Sequence, residues 1–381
     1  MSDSLDPLTA PAYSVKEGNG WLVVFNPDAP RQMDVQLHQR YVHDGVVCCI
    51  KFSSDGRWLA VGTNNAVILY DLTQDQKVTF SLTSEEGTGK PNHARSVTIS
   101  PDSKFLVAGS EDNIIRIWDI ESYAFIRSLV GHRGEVYALT FTADSCYLLS
   151  ASGDRTVRVW DTTQFQSNAA AEVPHRTLHS ADPQKSKQVF TSLSVDSLSS
   201  FVAAGSLDGI IRVWDIRPEL GREEPVGVMS GHADGVYGIQ FLPSYPDSDV
   251  VTLVSASLDR TLRRWEIRVD EKQFLCKQTL TGHKDCVLAV STLQIGREQR
   301  LASASRDGTV RLWDLKTGMP YFMIQGHTNT VTSVDLCTDG MLLASGSGDR
   351  EVRICELLVN HECLWVSQRS LFNLIGNYTI Q

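Results

Sequence analysis

The sequence predicts an all-β fold, a seven-bladed β-propeller whose ring is closed by an N-terminal strand in the last blade. Three observations predict it. A ten-residue phrase, "SGDRTVRVWD" from Ser152 to Asp161, recurs along the chain. Each copy alternates apolar and polar residues, the period of a half-buried β-strand. The copies are widely and regularly spaced, from 42 residues (160 minus 118) to 54 residues (214 minus 160), as in arrays of four-stranded blades.

Seven copies follow one another, and each ends in a slot that usually holds an aromatic residue. The first copy is weak: it is "TNNAVILYDL" from Thr63, where Asn64 or Asn65 occupies the turn. The seven slots hold Tyr70, Trp118, Trp160, Trp214, Trp265, Trp313 and Cys355. Asp-Gly and Asp-Arg pairs in the turns are typical of hairpins. The copies therefore predict seven blades between Val46 and Glu356.

A second phrase, Gly-His, lies upstream of the Trp-Asp phrase in most repeats. It begins at Gly131, Gly231, Gly282 and Gly326. Degenerate copies keep only His43 and His93, and the fourth repeat lacks the phrase. Together the two phrases are the signature of a WD-repeat propeller.

The two phrases predict a buried hydrogen-bond network in each complete blade. A buried His can bond the turn Asp and a strand Ser, with the Trp N–H as the last donor. An unpaired buried polar group costs about 1 to 3 kcal/mol, so we expect these groups to be paired. The predicted structural residues are His132, Asp154 and Trp160 with Ser150 or Ser152, then His232, Asp259 and Trp265, and then His283, Asp307 and Trp313.

The ends of the chain lie outside the repeats. We expect residues 1–19 to form a disordered arm, residues 20–357 to form the propeller, and residues 358–381 to form a tail that packs on the propeller or is disordered. The segment from Met33 to His43 alternates like a strand, so we predict that it completes the seventh blade, with Gly20 to Pro27 lying alongside. The polar residues 163–188 predict a mobile loop or a lengthened hairpin.

Composition narrows the functional classes. Hydrophobic residues make up 42% of the chain, yet no run approaches the roughly 18 apolar residues of a membrane span. The net charge of -10 argues against direct binding of duplex nucleic acid, which needs a clustered basic face. The eight Cys have no C-x-x-C spacing, which favours a reducing compartment without disulfides or a zinc site.

The His, Asp and Ser residues of the repeats invite comparison with a catalytic triad. A catalytic set is needed once, whereas this one recurs in at least four blades with fixed Asp-to-Trp spacing. The G-x-S-x-G elbow, the phosphate-binding loop and the H-E-x-x-H zinc pair are also missing from the sequence. We therefore predict no enzyme, no catalytic or metal-ligating residue and no cofactor.

Function is then expected on the top face, at positions that the repeat leaves free to vary. One slot follows the Val of the Gly-His phrase and holds Cys48, Arg95, Tyr137, Thr191, Tyr237, Leu288 and Thr332. The other precedes the turn Asp and holds Glu111, Gly153, Leu207, Leu258, Arg306 and Gly348. Aromatic and Arg residues dominate protein interfaces, although some of these side chains could simply line a central channel.

Longer phrases resemble one family within the WD-repeat proteins. "FNPDAPRQMDVQLHQRYVHDGVVCCIKFSSDGRWLAVG", from Phe25 to Gly62, is similar to the start of the propeller in fungal Tup-type transcriptional corepressors, a Tup/Groucho-like family. "VAAGSLDGIIRVWD", "GHKDCVLAV" and "IQGHTNTV" follow in the family's order. The resemblance covers roughly residues 20–356.

The resemblance implies a scaffold whose top face docks sequence-specific DNA-binding repressors, with histone tails and deacetylase complexes as further partners. It implies a nuclear protein, with the cytoplasm as a second compartment. The partner-binding residues that it implies are Cys48 (or the adjacent Cys49), His93, Ser96, Glu111, Tyr137, Tyr237, Leu288, Arg306 and Asn329. Of these, Arg306 replaces a Lys of the family and His93 replaces a Tyr. The family's N-terminal tetramerisation segment has no counterpart in the roughly 40 residues before the first blade.

Two other functions remain open at this point. "VWDIR", from Val213 to Arg217, fits the W-D-x-R phrase with which substrate receptors of cullin-type ubiquitin ligases bind their adaptor. A constitutive WD-repeat scaffold subunit is the other alternative.

Overall fold

The computed structural model describes residues 5–29, 31, 33–82, 92–166, 175–180, 188–217, 223–243, 250–268, 271–295 and 298–359. These residues form seven antiparallel sheets, and their helical segments are two short 3-10 turns, Ala12–Ser14 and Thr162–Gln164. Within this part of the chain, no helix has the length and apolar character needed to cross a membrane. The predicted all-β, seven-bladed fold is confirmed.

Thirty strands make up the sheets. Three precede the first blade: β1 (Val15–Gly18), β2 (Trp21–Phe25) and β3 (Met33–Val42). The first blade is β4 (Cys49–Phe52), β5 (Trp58–Gly62), β6 (Ala66–Asp71) and β7 (Gln76–Ser81). The second is β8 (Ala94–Ile99), β9 (Phe105–Ser110), β10 (Ile115–Asp119) and β11 (Phe125–Leu129). The third is β12 (Val136–Phe141), β13 (Tyr147–Ser152), β14 (Thr156–Asp161) and β15 (His175–His179).

The remaining blades follow the same order. The fourth is β16 (Phe190–Val195), β17 (Phe201–Ser206), β18 (Ile210–Asp215) and β19 (Gly227–Ser230). The fifth is β20 (Val236–Phe241), β21 (Val251–Ser257), β22 (Leu262–Arg268) and β23 (Gln273–Leu280). The sixth contains β24 (Val287–Ile295), β25 (Glu298–Ser305), β26 (Thr309–Asp314) and β27 (Pro320–Gln325). The seventh contains β28 (Val331–Leu336), β29 (Leu342–Ser347) and β30 (Glu351–Val359).

The core lies between neighbouring blades. The first strand of each blade contacts the first strand of the next, and β28 contacts β4, which closes the ring. Between the second and third blades, for example, Val107 and Ile117 pack against Val136 and Leu148. Strands buried between two blades need apolar residues on both faces, which explains the nearly continuous apolar runs before each turn.

The predicted closure of the ring is present. Strand β3 pairs antiparallel with β30, from Met33 opposite Val359 to Val42 opposite Glu351. Its alternating residues place Met33 and Val35 in the core while the residues between them face outward. The N-terminal strand therefore supplies the fourth strand of the seventh blade.

The placement of Gly20 to Pro27 beside the seventh blade was wrong. Strand β2 pairs with β27 at the outer edge of the sixth blade, and β1 pairs with β2, so this sheet has six strands. The reason is apolar packing: Phe25 packs edge-on against Phe322. The β27 edge also has backbone groups that need partners, which β2 supplies.

The expectation of a disordered arm over residues 1–19 does not hold for Leu5–Gly18. Leu5 is fully buried against Val24 and Met323, and Asp6 lies 3.8 Å from Lys284 of the sixth blade. We call residues 5–25 the N-terminal strap. It is held by strand pairing and by buried apolar side chains, namely Leu5, Val23, Val24 and Phe25.

The strap also contacts the seventh blade. Arg353 Nη1 donates to the Gly20 carbonyl at 2.8 Å. In the third and sixth blades, the corresponding Arg158 and Arg311 lie over the Trp of their own blade, with Cζ 5.8 and 6.0 Å from the ring centroid. Cys355 replaces that Trp in the seventh blade. The strap therefore gives Arg353 a contact in a blade where the aromatic surface is missing.

Two further predictions concern segments that the structure describes only in part. The predicted loop over residues 163–188 contains the outer strand β15, which pairs with β14 from Thr156 opposite His179 to Trp160 opposite His175. Residues 167–174 and 181–187 lie outside the described residues. Strand β30 continues to Val359, and the rest of the expected tail, residues 360–381, also lies outside them.

Candidate docking site on the top face

The end of the propeller at which the first strand of each blade begins is called the top face here, and it carries the turns between second and third strands. The third blade shows how these turns are held. His132 Nδ1 lies 2.8 Å from Asp154, and His132 Nε2 lies 2.7 Å from Ser150 Oγ. Trp160 Nε1 donates to Ser150 Oγ at 2.8 Å. Ser150, rather than Ser152, is thus the strand Ser of the predicted network.

The network repeats in other blades with nearly the same distances. In the fifth blade His232 contacts Asp259 at 2.9 Å and Ser255 at 2.7 Å. Burial lowers the pKa of His232, although Asp259 opposes the shift. Burial raises the pKa of Asp259, but hydrogen bonds from Thr261, the Ala233 amide and His232 outweigh it and hold that pKa at about 2.

The sixth and seventh blades carry the same arrangement. His283 contacts Asp307 at 2.8 Å, and Trp313 Nε1 donates to Ser303 at 2.8 Å, the same Ser that His283 contacts. In the seventh blade His327 contacts Asp349 and Ser345 at 2.9 Å each, without a Trp. A side-chain set repeated in four blades is a structural device.

Blades without the Gly-His phrase pair the turn Asp differently. In the second blade Arg116 Nη2 donates to Asp112 at 2.6 Å, and in the fourth Arg212 Nη2 donates to Asp208 at 2.7 Å. These Arg side chains are almost fully buried and lie four residues after the Asp. A buried Arg thus replaces the missing His. The interpretation of His93 as a remnant of the Gly-His phrase was wrong, because His93 directly precedes Ala94 and so takes the position of Glu135 rather than that of His132.

The first blade keeps its His but loses the Ser. Leu59 pairs with Tyr70 as Leu148 pairs with Trp160 in the third blade, so Val61 takes the position that Ser150 has there. The Nε2 atom of His43 is buried and has no hydrogen-bond partner among the described residues. Burial, followed by the charge of Lys77, lowers the pKa of His43.

One group of described residues has the composition of a metal site: His327, Asp349 and Glu351. Both ring nitrogens of His327 are already used, by Asp349 and by Ser345. Glu351 accepts two hydrogen bonds from Arg353. This group is therefore part of the seventh blade's internal network.

The residues of the first sequence slot have a common backbone geometry. In the second to seventh blades each one is skipped in the pairing of the first and second strands, so that it forms a β-bulge. In the third blade, for instance, Val136 pairs with Ser152 and Ala138 with Ala151, which leaves Tyr137 unpaired. Cys48 takes the matching position in the first blade, where its amide donates to Gly62 beside the paired Cys49.

A bulge re-aims its side chain away from the regular alternation of the strand. The bulges therefore turn one side chain per blade toward the top face, around the inner end of the blades. We call Cys48, Arg95, Tyr137, Thr191, Tyr237, Leu288 and Thr332 the top-face ring.

The two Thr side chains of the ring bond to the neighbouring blade. Thr332 Oγ1 donates to the Val47 carbonyl at 2.8 Å, and Thr191 Oγ1 donates to the Val236 carbonyl. They join blades, so the side chains that remain for a partner are Cys48, Arg95, Tyr137, Tyr237 and Leu288. All of these are half-buried except Arg95, which is exposed.

Arg95 interacts with two carboxylates and one aromatic ring of the top face. It forms an ion pair with Glu111, its Nε lies 3.8 Å from Glu135, and its guanidinium carbon lies 5.9 Å from the centre of the Tyr137 ring. Burial, and after it the hydrogen bond and charge of Glu135, raise the pKa of Tyr137 to about 12. Tyr137 therefore stays a neutral hydroxyl donor at physiological pH.

The other predicted partner-binding residues lie on the same face. Cys48 Sγ lies 3.9 Å from His93 Nδ1, and burial raises the pKa of that thiol. Burial also raises the pKa of Tyr237, although the charge of Arg95 opposes it. The exposed Arg306 lies 3.6 Å from Asp285.

Two predicted residues have local roles. Ser96 Oγ accepts from the Leu139 amide at 3.0 Å and so joins the second blade to the third. Asn329 is exposed in the loop before β28, and its side-chain oxygen accepts from the Thr330 amide at 2.7 Å. Asn329 is open to a partner, whereas Ser96 is engaged within the propeller.

The sequence reasoning missed two residues of this site. Arg95 stood among the slot residues but was not selected, because no single sequence shows that Glu111 and Glu135 converge on it. Glu135 precedes Val136 in the Gly-His phrase. That position holds His93 in the second blade and Cys286 in the sixth, and comparing it across blades would have drawn attention to it.

The W-D-x-R phrase ends in an Arg that already has partners. Arg217 donates to Asp215 through Nη2 at 2.5 Å and through Nε at 3.0 Å. Its guanidinium carbon lies 5.3 Å from the centre of the Phe201 ring. A structural role within the fourth blade thus accounts for this residue.

One protein family matches the chain along most of its length. The profile described as WD domain, G-beta repeat, matches residues 35–71, 84–119, 123–161, 175–215, 223–266, 274–314 and 318–356. Each of the seven matches contains all or nearly all of the first three strands of one blade, and most of them begin at or near the outer strand of the blade before.

Individual relatives match over almost the whole chain. The sequence is 33% identical, over 92% of its length, to the general transcriptional corepressor TUP1 of Saccharomyces cerevisiae, and 36% identical, over 92%, to the transcriptional repressor rco-1 of Neurospora crassa. It is 24% identical, over 91%, to the protein groucho of Drosophila melanogaster. The alignments cover 56%, 56% and 45% of these relatives, so the chain spans about half of their length.

Proposed function

The chain belongs to the WD-repeat family and is Tup-like over almost its whole length, and from this we propose that it is the docking propeller of a transcriptional corepressor. In this proposal the top-face ring binds short segments of sequence-specific DNA-binding repressors in the nucleus. The protein acts as a scaffold and carries no catalysis of its own.

The observation that carries the proposal is the top-face ring itself. Its bulges give each blade one side chain that strand pairing does not constrain, while the repeated His, Asp, Ser and Trp residues are used inside the blades. Tyr and Arg residues near the centre of a surface are typical of interface hot spots. The ring has Arg95 beside Tyr137, then Tyr237 two blades further round, and the apolar Leu288 in the blade after Tyr237.

Recruitment of histone tails and deacetylase complexes extends the same proposal. Two names among the relatives, a general transcriptional corepressor and a transcriptional repressor, support the repression role.

A photo-crosslinking experiment tests the proposal. p-Benzoylphenylalanine is placed at Asn329, which is exposed on the top face, and in a control at Tyr123, an exposed residue of the turn between β10 and β11 at the opposite end of the blades. We expect Asn329 to capture sequence-specific DNA-binding proteins from nuclei and Tyr123 not to capture them. Identical captures at both positions, or captures without DNA-binding proteins, would contradict the proposal.

A further inference from the structure

The charges around Arg95 do not balance. Glu111 and Glu135 both approach its guanidinium, so two carboxylates share one cation. The contact to Glu135 is 3.8 Å, longer than a hydrogen bond. Asp234 adds a third carboxylate close enough to act on the hydroxyl of Tyr237. This end of the ring therefore has an excess of negative charge.

One oxygen of Glu135 lacks a hydrogen-bond donor. Its Oε2 atom is buried, lies 3.8 Å from Arg95 Nε and accepts no hydrogen bond within the described ranges, whereas the Glu135 side chain as a whole is 37% exposed. A buried carboxylate oxygen without a donor is unfavourable, and such groups in folded proteins are usually satisfied by a partner. A donor from a docked segment can approach this carboxylate at the exposed part of the Glu135 side chain.

Aromatic rings flank the same carboxylate. Besides burial, the charge of Glu135 helps to raise the pKa of Tyr137, and Arg95 lies near the Tyr137 ring at 5.9 Å. Tyr237, two blades further round the ring, also contributes to the raised pKa of Tyr137, and Thr191 of the blade between them bonds to the Val236 carbonyl. Aromatic faces attract guanidinium and ammonium groups, and Arg95 shows that this environment accepts one.

We propose that the Glu135 end of the top-face ring binds a basic side chain, an Arg or a Lys, of the docked segment, beside Tyr137 and Tyr237. The cation donates to the Glu135 carboxylate at the exposed part of that side chain and balances the excess of carboxylates. The inference rests on the proposed docking function and specifies the chemistry of the segment.

The experiment starts from a displayed library of random 12-residue peptides selected on the full chain. Peptides that still bind the Tyr137→Ala, Tyr237→Ala double variant are removed, which leaves peptides that depend on the ring. The strongest peptide is synthesised with its basic residue intact and with that residue replaced by citrulline or norleucine, its neutral counterparts. Affinities are measured for the wild type, for Glu135→Gln, and for the control Glu121→Gln, which removes an exposed carboxylate from the turn between β10 and β11.

The proposal predicts peptides enriched in Arg or Lys at one position. Glu135→Gln should weaken the basic peptide by roughly tenfold, as expected for a charged hydrogen bond, and should change the affinity of the neutral peptide by less than about twofold. The Glu121→Gln variant should bind both peptides like the wild type.

Two outcomes would overturn the proposal in distinguishable ways. Ring-dependent peptides that are acidic or uncharged, or that bind Glu135→Gln as well as the wild type, would refute basic recognition and leave the docking function intact. A selection without any ring-dependent peptide would count against the docking function itself, and the inference would fall with it.

Discussion

At the scale of single residues, the top face separates side chains that hold the blades from side chains that face a partner. Asp154 accepts from His132 and from the Arg133 amide, and both donors would lose their partner in Asp154→Ala. We expect this variant to lower the free energy of unfolding by about 1 to 3 kcal/mol. Tyr137→Ala, a change in the top-face ring, should cost less. Urea denaturation of both variants measures the difference, and a larger loss for Tyr137→Ala would place Tyr137 in the core.

His43 offers a second test at this scale, because it lacks the Ser that the other networks have. Val61→Thr introduces a hydroxyl where Ser150 stands in the third blade, within the first blade's version of the network. A buried Val→Thr change normally destabilises, but here the hydroxyl gains His43 Nε2 as a partner. We expect Val61→Thr to lower the free energy of unfolding by about 1 kcal/mol less than Val107→Thr does. Val107 serves as the control because it is another fully buried strand position. Equal losses of unfolding free energy would show that Val61 does not face His43.

Sequence reasoning reached the structural residues more readily than the site residues. His132, Asp154 and Trp160 belong to a phrase that recurs, and recurrence allows the role of each position to be inferred from one chain. Arg95 and Glu135 occur once and meet only through the curvature of the ring. A contact between side chains of different blades has no local signal in the sequence, which is why their pairing was not predicted.

At the scale of secondary-structure elements, the N-terminal strap is the main departure from the seven-blade pattern. Strand β3 was predicted correctly because it continues the alternation of the repeats. Strand β2 was assigned to the wrong blade, since both the sixth and the seventh blade end in an edge that could accept a strand. Phe25 and Leu5 hold the strap against the sixth blade by packing. Such packing leaves no periodic pattern in the sequence, so it was not predicted.

The strap should contribute to stability through Leu5. Leu5 is fully buried, whereas Leu8, three residues later, is 93% exposed. We expect Leu5→Ala to lower the free energy of unfolding by about 2 kcal/mol, and Leu8→Ala to leave it nearly unchanged. Thermal or urea unfolding of the two variants measures this. Equal stabilities would mean that the strap is not anchored by Leu5.

At the scale of the whole molecule, the buried networks make stability depend on pH. The pKa of His232 is lowered in the folded state, mainly by burial, so the unfolded chain binds the proton more readily below the ordinary pKa of about 6.5. The contribution of the buried, neutral His232 to the free energy of unfolding should therefore be complete above pH 6.5 and decrease as the pH falls below that value. The lowered pKa of Asp259, about 2, predicts a further loss between about pH 4 and pH 2. The free energy of unfolding, measured by denaturation at pH 7.5, 6.5 and 5.5, tests the first step. In His232→Asn this free energy should fall less steeply as the pH is lowered. An unfolding free energy of the wild type that rises as the pH is lowered would contradict the role given to His232.

The resemblance to Tup-type corepressors, drawn from a few phrases, is confirmed by relatives that match over 92% of the chain. The repeats determine the number of blades, and the longer phrases determine the family. The partner of the top face stays a prediction, because the ring residues differ from blade to blade and their chemistry depends on what docks there.

The affinity of a repressor segment for the purified chain decides whether the top-face ring is the docking site. A segment captured by the Asn329 crosslink is titrated against the wild type, Tyr137→Ala, Tyr237→Ala and the control Tyr123→Ala, with the melting temperature of each variant recorded. The account predicts that both ring variants lose at least about tenfold in affinity at an unchanged melting temperature, and that Tyr123→Ala binds like the wild type. Wild-type affinity in both ring variants would contradict it.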